Sequence, residues 1–230
     1  MSSAQFIAII IGIFGALAGV YFREVLHKAN ERLKAAIYLE SNLRHWLKIG
    51  LESEHFKDFM IVGYFLSEEK RKAIETRNLQ ELSKFNEEFK AKLQSLRDDS
   101  RGLKEKIPEI IQRQKPFKKE ELDEIMKELN RIINSLVEGN GLVRDSDLAY
   151  LDWFKLPDIL EVRSELVSIL VSLKLLLTHL SVRNNVDEEH VLNLILSCVD
   201  SGLKVSMHIV PLLKYAETIR RKGIWGNIFI

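Results

Sequence analysis

Five polar side chains recur on one face of the stretch from His190 to Lys222: Asn193, Ser197, Ser201, Lys204 and His208, with Asp200 beside them. Steps of three and four align on one side of a helix. Ser168, Ser172 and His179 do the same on the stretch before it. If the two helices run antiparallel, these stripes meet, and Ser172, His179, Asp200, Lys204 and His208 would line a polar pocket able to serve an enzyme. Taken singly, each stripe is expected to be the solvent-facing strip of a helix that is otherwise buried.

Metal chemistry is the next possibility. Helical bundles hold two metal ions with Glu-x-x-His from two helices and a Glu from each of two others. Glu52-x-x-His55 matches, Asp187-x-x-His190 matches loosely, and Glu161 or Glu165 offers a further carboxylate. Both histidines fall near expected helix ends, whereas ligating pairs should face inward from mid-helix, so capping and surface roles are expected and no metal or cofactor is assigned. Asp145-Ser146-Asp147 and Asp152 resemble the start of a calcium loop, but Tyr150 stands where the loop needs Gly and Leu156 where it needs Glu. Capping by the aspartates and packing by Trp153 is expected instead. Cys198 lies in the apolar run from Leu192 to Val199 and reads as a buried thiol. No catalytic residue is assigned, since no phosphate loop, nucleophile elbow or HExxH zinc motif is present.

The chain of 230 residues balances 34 Lys and Arg against 33 Asp and Glu, for a net charge of +1. A balance this close argues against a nucleic-acid partner, which would select a large uncompensated basic surface.

The elements that must carry these side chains begin with Ala4 to Phe22, an uncharged apolar run with the length of a membrane-crossing helix. No basic residue precedes it, whereas Arg23, Lys28, Arg32 and Lys34 follow. The positive-inside rule then predicts a single-pass membrane protein with the N-terminus outside and the C-terminal domain cytoplasmic. Ala8, Gly12, Gly15 and Gly19 share one face of this run, a small-residue stripe that lets two helices approach closely and predicts a homo-oligomer.

Beyond residue 22 the pattern is all-α. The helical periodicity continues through Val25, Leu33, Ala36, Leu43 and Leu51, so that 23–66 reads as a juxtamembrane helix followed by a short apolar segment, 56–66. Ser67 resembles an N-cap opening a long amphipathic helix with Leu82, Phe89, Leu96, Leu103 and Ile110 seven apart. Pro108 and Pro116 punctuate a connector, and 120–138 forms a second amphipathic helix closed at Gly139-Asn140-Gly141. The two are expected to fold back on each other, making 67–141 a long amphipathic helical hairpin. Pro157 opens an apolar helix to Val182, and a second runs from His190 to Lys222 with Gly223 as its C-cap. Lys174 in the first and Asp200 with Lys204 in the second cost about +3 kcal/mol each at a bilayer centre, which favours placing 142–223 in a bundle as a C-terminal apolar helix pair, with a hairpin in the membrane as the runner-up.

The tail, 224–230, is apolar and follows Arg220, Arg221 and Lys222. With Trp225 and Phe229 these residues suit contact with an anionic membrane face; a tail tucked into the core or hooked onto a partner is the alternative. The architecture expected is thus an N-terminal transmembrane helix followed by a helical bundle. The function expected is a membrane-anchored, self-associating scaffold or adaptor with an unidentified protein partner. A toxin-like membrane effector and an enzyme using the C-terminal helix pair are the competing classes.

Overall fold

In the computed structural model, residues 3–52, 78–113, 119–138, 141–181 and 187–228 are described. Among them every regular element is helical and no strand occurs. The 56–66 segment, the Ser67 cap, His55, Pro116 and Phe229 lie outside the described residues.

Helix α1 (Ser3–Glu52) is continuous for 50 residues, about 75 Å, with no Gly or Pro break where the apolar run gives way to charged residues. The helical pattern expected to continue past residue 22 does so, and the apolar run and the 23–52 stretch form one helix. Its parts differ in surroundings: residues 16–24 are all exposed, whereas Ala35, Ala36, Leu39 and Leu43 are fully buried.

The N-terminal membrane span, with Met1 outside and the rest of the chain cytoplasmic, is corrected by the structure. Among the described residues, the helix long and apolar enough to cross a membrane is Glu188–Asn227, at the opposite end of the chain. Half of its most apolar stretch is buried inside the molecule, as in the central helix of a bundle. An apolar run fixes only that a helix avoids water. Here the run at Ala4 to Phe22 leads without interruption into a helix whose later turns are core.

Four more helices precede the C-terminal pair. Helix α2 (Leu79–Asp98) is capped by Asn78, whose side-chain oxygen accepts from the amides of Gln80 and Glu81. Asp99 leaves helical geometry and separates α2 from α3 (Ser100–Arg113), which carries Pro108 within it. The long helix expected from 67 is thus two helices where described. Helix α4 (Lys119–Val137) buries Ile125, Leu129 and Leu136, and α5 (Asp145–Leu148) is one short turn. A 3-10 turn, Trp153–Lys155, leads into α6 (Leu156–Ser181), and α7 (Glu188–Asn227) completes the chain.

Helix α7 is the hub: α6, α1 and α2 pack along it, with α3 against it more briefly. The Asn86 amide donates to Ser206 O at 2.7 Å, and α2 comes so close that a Cβ on Gly202 would stand 3.1 Å from Leu93. Helix α4 packs on α6, and among the described residues it has no comparable packing on α2 or α3, on which the hairpin expected over 67–141 would fold it back; α6 and α7, the pair expected over 142–223, pack antiparallel. Arg163 on α6 holds α4 in place. Its guanidinium donates to the carbonyls of Leu136 (2.7 Å) and Val137 (3.2 Å) and pairs with Asp145 (2.7 Å), closing the open carbonyl end of α4.

Candidate functional site: the polar seam between the C-terminal helices

The polar stripes do meet. Each step of seven, four or three residues back along α6 is matched by the same step forward along α7, as antiparallel helices require. The rungs begin at His179 and His190, whose rings are 4.3 Å apart between centroids and 79° from parallel. Ser172 and Ser197 follow with hydroxyls 3.1 Å apart, then Ser201 donating to Ser168 at 3.1 Å, then the Lys204 ammonium on Glu165 at 2.6 Å. His208 ends the series between two carboxylates, with Nδ1 3.3 Å from Asp158 and Nε2 3.3 Å from Glu161.

The solvent-facing strips expected for single helices are therefore shared. Ser172 and Ser201 are buried, and both bond across to a serine, which removes the cost of an unpaired hydroxyl in the interior. Partial burial pushes the Glu165 carboxyl up, but its hydrogen bonds, with Lys204 foremost, bring it below its ordinary value. Asp200 and Asn193 stay on the exposed side; Asp200 acts on Lys204 only through space.

Chemically the seam is a register lock. A one-turn slip in either direction would separate Lys204 from Glu165, so the pairs define which turns face each other. The serines bond to each other, while the imidazole of His208 is held by carboxylates at the far rung. No serine in the ladder bonds to a basic nitrogen among the described residues. Cys198 lies just behind it, buried, with Sγ 3.8 Å from Ile169 O, and burial pushes its thiol up to about 12.

A second polar assembly joins α1 to α7. Glu40, almost wholly buried, accepts from Arg44 Nε (3.1 Å) and Arg220 Nε (2.7 Å). Glu217, also buried, takes Arg221 at 2.7 Å and lies 3.7 Å from Arg220. Arg220 and Arg221, two of the basic residues read as membrane contacts, are thus engaged in ion pairs within the bundle. Lys222 and Trp225 are exposed. Gly223 takes a left-handed φ of 63°, which ends the regular part of α7, and the Asn227 side chain donates back to the carbonyls of Ile219 and Gly223.

The aspartates near Trp153 are structural. Asp152 holds Arg32 through both carboxylate oxygens at 2.7 Å, and its amide donates to the Tyr215 hydroxyl at 2.8 Å, fastening α1, the 3-10 turn and α7 together. Trp153, expected to pack, is instead 81 % exposed beside Phe154. Burial pushes the Tyr215 phenol up to about 12.

Cys198 and Tyr215 both hold their protons more tightly folded than unfolded. Their contribution is complete below the ordinary values of 9.0 and 10.0 and is lost as pH rises toward 12. The urea midpoint should accordingly fall between pH 9 and 11. At pH 8, folded Cys198 should react with a disulfide reagent about a thousandfold more slowly than the unfolded chain, because burial lowers its thiolate fraction by about that factor.

Glu40, Glu217 and Arg32 were missed as site residues, though a signal existed. Glu40 stands four after Ala36 and three before Leu43, on the buried face, with Arg44 one turn on. Of the small-residue stripe, the side-chain surroundings of residues 8, 12 and 15 lie outside the described part, and Gly19 is exposed with nothing within 4 Å of a Cβ placed on it. Among the described residues no group of three or more His, Cys, Asp or Glu is arranged around a common point. Comparison with known proteins adds no relative: no family model matches the chain, and no curated protein or solved structure is detectably similar to it.

Proposed function

We propose that this protein is a helical scaffold that acts through protein–protein contacts and self-associates through the leading arm of α1. The observation that carries this reading is the contrast along that one helix. Leu17, Val20, Tyr21 and Phe22 are each at least half exposed, whereas Leu39 and Leu43, in the same helix, are sealed in the core. A run of exposed large apolar side chains gains from burial against another apolar helix. Gly19 has open space around it, so nothing in the fold of this chain calls for a glycine there, while a second helix crossing at Gly15 and Gly19 would. The arm and the core share one helix, whose later turns hold α7 directly through Glu40 and Arg220 and indirectly through Arg32 and Asp152, whose amide donates to Tyr215.

Full-length protein should sediment as an oligomer, and Gly15→Ile with Gly19→Ile should raise its dissociation constant at least about tenfold while leaving the helical signal unchanged. A full-length chain that stays monomeric at high concentration, or an oligomer indifferent to both substitutions, would remove the reading.

A further inference from the structure

We infer that His179 and His190 form a two-imidazole clamp for a borderline divalent cation such as Zn2+, Ni2+ or Cu2+, where α6 ends and α7 begins. The rings come from opposite helices, with centroids 4.3 Å apart and planes 79° from parallel. A tetrahedral ion with bonds of about 2.0–2.1 Å needs its two nitrogens about 3.3 Å apart, and imidazoles at this separation reach that spacing by turning about their own side-chain torsions. Both positions are fixed. His190 is in the first turn of α7, where its amide is held by the Asp187 cap, and the serine rungs at Ser172–Ser197 and Ser168–Ser201 set the register of the two helices.

The chemistry of this rung separates it from the others. Each further rung matches a hydroxyl with a hydroxyl or a cation with a carboxylate, and His208 has two acidic neighbours. Among the described residues, the imidazoles of His179 and His190 make neither hydrogen bond nor ion pair, and both are half-buried rather than sealed. The two rings meet edge to face, so one turn about a side-chain torsion brings a nitrogen of each toward one ion, and imidazole favours the later first-row divalent metals and zinc over calcium or magnesium. No third His, Cys, Asp or Glu completes the set among the described residues, so water fills the remaining positions. The ion bridges the ends of α6 and α7 and stabilises their pairing by binding the folded chain alone.

The test uses the untagged full-length chain titrated with Ni2+, Zn2+ or Cu2+. One equivalent should bind. At free metal about a hundredfold above the dissociation constant, the melting temperature should rise by about 5–11 °C, and chelator should reverse the rise. His179→Ala and His190→Ala should each abolish most of that shift. Electron paramagnetic resonance of the Cu2+ form should show two imidazole nitrogens in the parent and one in each variant; the parent spectrum decides even if a variant fails to fold. No binding at millimolar metal, a shift retained when both histidines are replaced, or a parent spectrum with fewer than two nitrogens would overturn the assignment.

Discussion

Glu40→Ala should destabilise the protein by about 3–5 kcal/mol, seen as a fall of about 6–20 °C in melting temperature. Glu40 accepts from Arg44 at 3.1 Å and Arg220 at 2.7 Å, and the side chains of Glu40 and Arg44 are 4 % and 10 % exposed. Removing the carboxylate takes away the acceptor shared by Arg44 and Arg220 and leaves the buried Arg44 charge less compensated, which costs more than the ion pair itself contributes. That distinction can be measured. Replacing Glu40, Arg44 and Arg220 together with apolar residues of similar volume should recover much of the loss, because no uncompensated charge then remains. Equal losses in the single and triple variants would show that the network matters for its shape rather than its charge. The same substitution should weaken the connection between α1 and α7 locally, raising amide exchange around Glu40 and Arg220 ahead of that in α4.

Leu212→Ala should cost about 2–5 kcal/mol, the range for a buried leucine truncated in a core that cannot fully collapse. Leu212 and Leu213 have no exposed surface and lie on α7, against which α1, α2, α3 and α6 all pack. The helices packed on α7 are fixed by their own hydrogen bonds, including Asn86 to Ser206 and the serine rungs, so they cannot shift freely to fill a cavity on α7. Leu175→Ala is the control: this leucine is 45 % exposed on α6, and its truncation should change the chemical-denaturation midpoint little. Similar losses at both positions would mean that α7 is not the organising helix. Of the two predictions, Glu40→Ala acts through charge and should respond to its partners, whereas Leu212→Ala acts through volume and should not.

Much of the helical layout is legible in the chain because its signals are local. Asp187 before Glu188 and Glu189 marks the start of α7, and the cap is made as expected, to the amides of Glu189 and His190. Pro157 stands second in α6, the apolar positions of 120–138 define α4 within a residue at either end, and Gly223 takes the left-handed conformation that ends the regular part of α7. The polar stripes that became the seam were visible as well, since spacing alone shows that side chains share a face.

What spacing does not state is which face meets which. An apolar face specifies burial without specifying a partner, and so α4 lies on α6 rather than on α2, and half of the apolar stretch of α7 is buried within its own bundle. Nothing near Arg220 in sequence points to Glu40, 180 positions away, and nothing near Arg32 points to Asp152, 120 positions away. By itself the sequence determined that this is a helical protein, where several of its helices begin and end, and which residues share each face, because those properties depend on neighbours within a turn or two. Tertiary structure decided that α7 is the hub, that the serine, lysine and histidine stripes close on each other, and that two arginines near the C-terminus hold buried glutamates. These follow from desolvation and packing between distant segments, which no local pattern contains.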